Sequence, residues 1–167
     1  SLALALNSED SETAHYAASV LQDVLSDFRS QVQEKYVRSQ VEDEEQAENC
    51  ISLVEYMLPI IVQKVLTNME QHAMIARMDE VLEKAWTLDR RKISSVLYEK
   101  MCQCLLDIQD YKTCEKWCVR SIEQYPAALS SYTSELKLFF SCGDKEKFFY
   151  VMKRLRASDI TIDSETL

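Results

Sequence analysis

The amino-acid sequence predicts an all-α protein, and three observations support this fold class. The chain of 167 residues contains one glycine and two prolines, which leaves little material for hairpin turns or phosphate-binding loops. Hydrophobic residues make up 47% of the chain and recur at three- and four-residue steps, as they do on one face of a helix. Beyond Ser94, the chain also resembles itself at a fixed offset, as helical repeat proteins do.

An excess of acidic residues limits the classes of partner. The chain has 28 Asp and Glu against 19 Lys and Arg, which gives a net charge of -9, and the excess is concentrated in residues 1–50. This charge is a poor match for the phosphates of nucleic acid or for an anionic membrane surface. We therefore expect a protein partner, no nucleic acid and no direct insertion into a membrane.

The cysteine content and the most apolar stretch bear on location. Six cysteines without a signal-peptide pattern suit a reducing compartment, where thiols serve as small hydrophobic side chains. Residues 52–66 contain Glu55 and Lys64 and are too short to span a bilayer, so they are interpreted as a buried helix. Both ends of the sequence are typical of a fragment. We expect a cytoplasmic location, either as a free protein or as the cytoplasmic part of a membrane-anchored one.

Residues 1–50 are predicted to form an acidic, helical N-terminal segment. Ser8 or Ser11 is the expected N-cap of a long amphipathic helix that ends near Ser39. Its apolar face consists of Ala14, Ala17, Ala18, Leu21, Leu25, Phe28, Val32 and Tyr36. This segment resembles a HEAT-type unit, in which a short acidic turn joins two helices, over the pattern LALALNSEDSETAHYAASVLQDV.

Two further helices are predicted before the repeated part of the chain. The acidic stretch 41–49 is expected to begin a helix, because acidic side chains favour the positive end of the helix dipole. This helix should extend to about Glu70, with Pro59 bending it or dividing it in two. The next helix is expected over residues 74–88.

Self-similarity in the C-terminal half places apolar residues on apolar residues. At the fixed offset, these positions coincide: Tyr98 with Tyr132, Leu105 with Phe139, Asp110 with Asp144, Cys114 with Phe148, and Cys118 with Met152. The separation within each pair equals the period of tetratricopeptide repeats, in which each repeat is a pair of helices.

The first of these units also resembles the tetratricopeptide pattern itself. The family positions are matched in order by Tyr98, Met101 with Cys102, Leu105, Cys114 with Cys118, and Pro126. The resemblance implies that residues 51–167 form a right-handed α-solenoid of antiparallel helical hairpins, after an irregular N-terminal start. The implied units are approximately 53–90, 95–128 and 129–162, and the first of them is degenerate. Stacked hairpins produce a curved array with a concave surface.

The resemblance further implies where a partner binds. In the family, the first helix of each hairpin lines the concave surface. The corresponding positions are Glu99, Gln103, Leu106 and Asp107 in one unit, and Ser130, Thr133, Lys137, Phe140 and Ser141 in the next. This mixture suits a peptide or helix held by a few apolar anchors in a polar rim. The alternative for Leu106 and Phe140 is that the long N-terminal helix or a further repeat covers them.

Two interpretations are open for the cysteines of the C-terminal half. Cys102 and Cys104 could join Cys114 and Cys118 in a metal or redox site. Structural zinc, however, normally uses paired Cys-x-x-Cys sequences. The tetratricopeptide resemblance also calls for small or apolar side chains at three of these positions. We therefore expect packing residues, with no metal site and no cofactor.

No motif in the sequence predicts catalysis. Neither His15 nor His72 has a second histidine at metal-ligand spacing. We therefore predict a non-enzymatic scaffold or adaptor for protein–protein interaction. A thiol- or metal-binding helical module and a self-associating structural repeat domain are the alternatives.

A further resemblance concerns the setting in which such a scaffold would act. The segment AHYAASVLQD followed by degenerate repeats resembles the soluble repeat region of bacterial membrane-associated proteins from exopolysaccharide secretion systems. This resemblance implies a place in a larger membrane-associated assembly for exopolysaccharide synthesis or export.

Overall fold

The computed structural model describes residues 11–158 and residue 160, and in this part the protein is all-α, as predicted. These residues contain six α-helices and one short 3₁₀ helix, without a strand. The α-helices are α1 (Ser11–Val62), α2 (Asn68–Asp89), α3 (Ser95–Asp107), α4 (Tyr111–Gln124), α5 (Leu129–Cys142) and α6 (Lys145–Ala157), and the 3₁₀ helix spans Arg90–Lys92. In this described part, no helix has both the length and the apolar character needed to cross a bilayer. The predicted capping residue Ser8 lies outside it.

Helix α1 is longer than the sequence pattern predicts. It continues through Ser39 and the acidic stretch 41–49, where the pattern predicts one helix to end and another to begin. That prediction was wrong because the stretch contains no glycine or proline, and its Glu, Gln and Ala residues favour a continuous helix. Pro59 lies inside the last turns of α1, which ends at Val62 rather than near Glu70.

The chain separates into two compact units between Asp43 and Glu44. In the first unit, several apolar side chains of α1 are exposed, among them Leu25, Phe28 and Val32. The second unit contains the remaining helices and the main hydrophobic core. The assignment of residues 1–50 and 51–167 to two domains stays a prediction.

Capping side chains fix the starts of helices in the second unit. Thr67 and Glu70 form a capping box at the start of α2, with hydrogen bonds of 2.9 and 3.3 Å. Asp110 and Asp144 are the N-cap residues of α4 and α6. The side chain of each accepts a hydrogen bond from the backbone amide three residues further on, at 3.2 and 3.1 Å. Asp110 and Asp144 are also one of the residue pairs that coincide at the repeat offset.

The turns before these two caps also correspond. Gly143 has a φ of 75°, in the left-handed region that glycine adopts without steric cost. Gln109, which holds the equivalent place in the preceding unit, has a φ of 61° and therefore takes the same conformation at some cost in strain. Equivalent turns thus connect α3 to α4 and α5 to α6, despite different residues.

The core of the second unit forms between the faces of successive helices. Helix α3 packs against both α4 and α5, and α5 also packs against α4 and α6. Each of these four helices contributes large side chains to the core, including Tyr98 from α3, Trp117 from α4, Leu138 from α5 and Val151 from α6. Burial of these apolar surfaces supplies the main driving force for the packing.

Polar and aromatic side chains connect α2 to α4 in what we call the α2–α4 clamp, formed by Asp79, Glu83, Lys116, Trp117 and Arg120. The Asp79 carboxylate accepts hydrogen bonds from Trp117 Nε1 at 2.7 Å and from Lys116 Nζ at 2.9 Å. The Arg120 guanidinium donates two hydrogen bonds to Glu83, at 2.7 and 2.9 Å. This forked geometry is the stronger form of an ion pair.

Within the described residues, one carboxyl oxygen in the core lacks a hydrogen-bond partner. Glu135 of α5 is 5% exposed, and its Oε2 atom is buried without a partner. Burial raises the pKa of this carboxyl, although Arg154 opposes the shift. Since a raised pKa means that the folded state holds the proton more tightly, this group lowers stability as the pH rises above about 4.5.

We expect Glu135→Gln to stabilise the protein at pH 7 by about 1 kcal/mol, because it removes a buried charge at nearly constant shape. The gain should shrink as the pH falls towards 4.5, because the raised pKa lets the native carboxyl take up a proton before the unfolded one does. Urea unfolding at the two pH values measures both effects. Glu123→Gln, at an exposed position of α4, is the control and should change neither value. Equal effects of the two substitutions, or a gain that grows in acid, would contradict this account of Glu135.

Candidate functional site

A groove of about 750 Å³ lies between the C-terminal end of α1 and helix α3. We call it the α1–α3 groove. It is lined by Glu55, Leu58, Pro59, Ile61, Val62, Lys64, Gln71, Ser94, Val96, Leu97, Lys100, Gln103, Cys104 and Asp107. All of these residues belong to the second compact unit.

The floor of the groove is apolar and its edge is partly apolar as well. Leu58, Ile61 and Leu97 are buried, at 6%, 4% and 2% exposure. Val62 and Val96 are 69% and 53% exposed, one on each side. A groove with a buried apolar floor and exposed apolar edges is the form that accepts an amphipathic segment.

Charged side chains of both signs surround this apolar surface. Lys64 and Lys100 supply ammonium groups, and Glu55 and Asp107 supply carboxylates. Asp107 also accepts a hydrogen bond from Gln103 Nε2 at 2.9 Å, which orients both side chains one turn apart. Because the rim carries charges of both signs, it can make polar contacts with acidic or basic side chains.

Pro59 shapes the α1 side of the groove. As a proline it has no amide hydrogen, so the carbonyl of Glu55 cannot receive the usual helical hydrogen bond from residue 59. The helix ends three residues later, and Lys64 then takes a left-handed conformation with a φ of 54°. The chain thereby leaves α1 beside α3.

The four site residues predicted on α3 lie in different environments. Gln103 and Asp107 line the α1–α3 groove. Glu99 is exposed but is not part of its lining. Leu106 is partly buried and packs against the core, so only part of its side chain is open to a partner.

The five site residues predicted on α5 do not line the α1–α3 groove, as its described lining comes from elsewhere. Ser130 and Thr133 are partly buried, and Thr133 Oγ1 donates a hydrogen bond to the Ser130 carbonyl at 3.1 Å. Lys137, Phe140 and Ser141 are exposed. Phe140 is 78% exposed, with its ring centroid 6.4 Å from that of a neighbouring α6 phenylalanine. It stays a prediction that the residue sets on α3 and α5 bind one partner together.

The α1 wall of the groove was not predicted from the sequence. Residues 52–66 were interpreted as a buried helix, yet Tyr56, Val62 and Val65 are 71%, 69% and 73% exposed. A usable signal was Pro59, which interrupts the backbone hydrogen bonding of an otherwise apolar helix. The position of Val96 on the opposite wall has no comparable signal in the sequence.

Three cysteines form a second candidate site, which we call the cysteine cluster: Cys102, Cys114 and Cys118. Their sulfur atoms all lie within 4.8 Å of one another. The Sγ atom of Cys118 is 3.5 Å from that of Cys102 and 3.9 Å from that of Cys114. All three side chains are buried, at no more than 1% exposure. Cys104, which the sequence pattern groups with them, is not part of this cluster.

Hydrogen bonding within the cluster makes the three thiols unequal. Interaction with the Cys102 and Cys118 thiols lowers the pKa of Cys114. The pKa of Cys102 is raised by its hydrogen bonding with Cys114 and by burial, and that of Cys118 by hydrogen bonding with both neighbours and by burial.

Comparison with known proteins assigns no family to the chain. No protein-family model, curated protein or solved structure matches it. Function is therefore inferred from the geometry of the α1–α3 groove and of the cysteine cluster.

Proposed function

We propose that this protein is a non-enzymatic interaction scaffold that binds an amphipathic helical segment of a partner protein in the α1–α3 groove. The observation that carries the proposal is the combination of a buried apolar floor with the exposed valines Val62 and Val96 on opposite sides. An apolar groove between helices is a recurring site for helix recognition. The groove volume of about 750 Å³ leaves room for several apolar side chains.

We further propose that the helices from α3 onwards form a tetratricopeptide-like solenoid. Support comes from the equivalent caps at Asp110 and Asp144 and the equivalent turns at Gln109 and Gly143. The packing of α3 on α5 also supports it, because first helices of neighbouring hairpins contact each other in such an array. Participation in an exopolysaccharide assembly stays a prediction.

The chemistry of the groove indicates what the partner helix should look like. Apolar side chains at positions i, i+3 or i+4 and i+7 form a stripe that can cover Leu58, Ile61 and Leu97. Flanking charges can pair with Lys64 or Lys100 on the rim. We therefore expect a segment of two to three turns with one apolar face.

Selection from a display library of amphipathic helical peptides tests this proposal directly. The library varies the apolar stripe and the flanking charges, and the full chain is the target. Selected peptides should share an apolar i, i+3/i+4, i+7 pattern. Val62→Asp and Val96→Asp should each weaken their binding by about tenfold or more, since a charge at an apolar contact is costly to desolvate.

Val119→Asp is the matched control, because Val119 is also an exposed valine on a helix, at 42% exposure, but lies on α4 outside the groove lining. It should leave peptide affinity unchanged. Circular dichroism should show equal helix content in all three variants. Peptides that bind the two groove variants as tightly as the original protein would refute the assignment of the groove.

A further inference from the structure

We propose that Cys102, Cys114 and Cys118 bind a trivalent thiophilic ion through three sulfur atoms, with arsenite, As(OH)₃, as the representative ligand. This site is separate from the α1–α3 groove, and its failure would leave the proposed scaffold function intact.

The distances within the cysteine cluster suit a single small ion. Bonds of about 2.3 Å from an ion to three thiolate sulfurs place those sulfurs roughly 3.5–4.0 Å apart. Two of the sulfur–sulfur separations are 3.5 and 3.9 Å, and the third is within 4.8 Å. The third separation therefore shortens by at most about 1.3 Å when the cluster closes around an ion of this bond length.

The fold holds the three sulfurs together from two helices. Cys114 and Cys118 are four residues apart on α4, so they share one helix face. Cys102 comes from α3, which packs against α4 across a short turn. The Cys114 thiol also donates a hydrogen bond to the Cys102 carbonyl at 3.6 Å. A site built on two packed helices is more rigid than one built on loops.

The number of sulfurs argues against the common four-coordinate alternative. Structural zinc is almost always bound by four ligands. In the described part of the chain, the group of converging ligand atoms contains these three sulfurs and no fourth donor. The arrangement therefore favours an ion that needs only three sulfur ligands. Thiolates are soft donors and select thiophilic ions.

Charge favours a trivalent ion over a monovalent or divalent one. Three thiolates around a trivalent ion give a neutral complex, whereas copper(I) or zinc(II) would leave net negative charge in the core. Buried net charge is costly. The buried carboxyl of Glu135 would add to this cost, because it repels negative charge at Cys102 and so helps to raise the pKa of that thiol.

Binding of arsenite to the cluster is a balanced ligand exchange. Three S–H bonds and three As–OH bonds break, three As–S bonds form, and three water molecules leave. Arsenic keeps its oxidation state, so neither an oxidant nor a reductant is consumed. Because the three side chains are fully buried, the ion enters during local opening of the α3–α4 hairpin, and association should be slow.

Native mass spectrometry of the full chain tests the site. The protein is kept reduced with a phosphine, which offers no competing thiol, and is incubated with sodium arsenite until the spectrum is constant. We expect one adduct per chain that gains one arsenic and loses three hydrogens. A two-sulfur adduct would instead keep one hydroxyl on arsenic, so mass alone separates the two cases.

Single cysteine variants locate the adduct. Cys102→Ala, Cys114→Ala and Cys118→Ala should each abolish the three-hydrogen adduct and weaken arsenite binding by at least about tenfold, because even outer-shell partners of metal sites contribute roughly 10- to 100-fold. Cys104→Ala is the matched control: Cys104 is also buried on α3, at 5% exposure, but lies outside the cluster. It should retain the adduct.

Several outcomes would overturn the proposal. These are a wild-type spectrum without the three-hydrogen adduct, a three-hydrogen adduct that survives Cys114→Ala, and a three-hydrogen adduct that Cys104→Ala removes as completely. X-ray absorption of the arsenic-loaded wild-type protein provides a test that does not depend on the folding of any variant. It should show three sulfur neighbours, and an oxygen neighbour in their place would refute the three-sulfur site.

Discussion

Trp117→Ala is expected to lower the free energy of unfolding by about 3–5 kcal/mol, the range for truncation of a buried aromatic side chain. Trp117 is 0% exposed. Its ring centroid lies 6.1 Å from that of Tyr98, and its Nε1 donates a 2.7 Å hydrogen bond to Asp79. The substitution removes packing in the α3–α4 hairpin and also a partner of the α2–α4 clamp. Urea unfolding followed by circular dichroism measures the loss.

Trp117→Phe separates the two contributions. It keeps most of the aromatic surface but removes the hydrogen bond to Asp79, so we expect a smaller loss, of about 1–2 kcal/mol. Asp79 retains its contact with Lys116, at 2.9 Å, which limits the effect. If Trp117→Ala cost less than about 1 kcal/mol, the side chain could not occupy the central position that the structure gives it.

Arg120→Ala is expected to cost about 2–3 kcal/mol, because it breaks a partly buried ion pair and removes a stacked cation. The Arg120 guanidinium lies 3.8 Å from the ring centroid of Trp86 and 4.9 Å from that of Trp117. It also holds Glu83 by two hydrogen bonds. Arg120→Lys keeps the charge but loses the planar fork, so it should recover only part of the stability.

The Arg120 prediction carries a dependence on pH with a defined sign. The hydrogen bond from Arg120 lowers the pKa of Glu83 below its ordinary value of 4.5. The resulting stabilisation is present above pH 4.5 and is lost as the pH falls through the lowered pKa. The difference between the original protein and Arg120→Ala should therefore shrink in acid. A difference that stays constant between pH 7 and pH 3 would contradict the role of this ion pair.

The all-α fold class and much of the helix placement in the C-terminal half could be predicted from the sequence, because both depend on local patterns. Asp110 and Asp144 are caps by side-chain chemistry, and Tyr98 belongs to an apolar face of period 3.6. The N-terminal helices were predicted less well. The acidic stretch 41–49 has the composition of both a helix start and a helix interior, and the helix continues through it because it contains no glycine or proline.

The candidate sites depend on tertiary register and were only partly predictable. Gln103 and Asp107 follow from the repeat, but the groove wall that faces them contains Ile61, which lies in the degenerate unit 53–90. The i, i+4 spacing of Cys114 and Cys118 predicts that both side chains lie on the same face of α4. The convergence of Cys102, rather than Cys104, is set by the rotation of α3 against α4, which the spacing of residues does not determine.

The most direct test of the α1–α3 groove is hydrogen exchange of the full chain with and without a selected helical peptide. The account predicts slower exchange in residues 55–66 and 94–107 on binding, and no change in α5 or α6. Protection confined to α5, around Phe140, would instead place the partner on the second predicted residue set and would contradict the assignment of the groove.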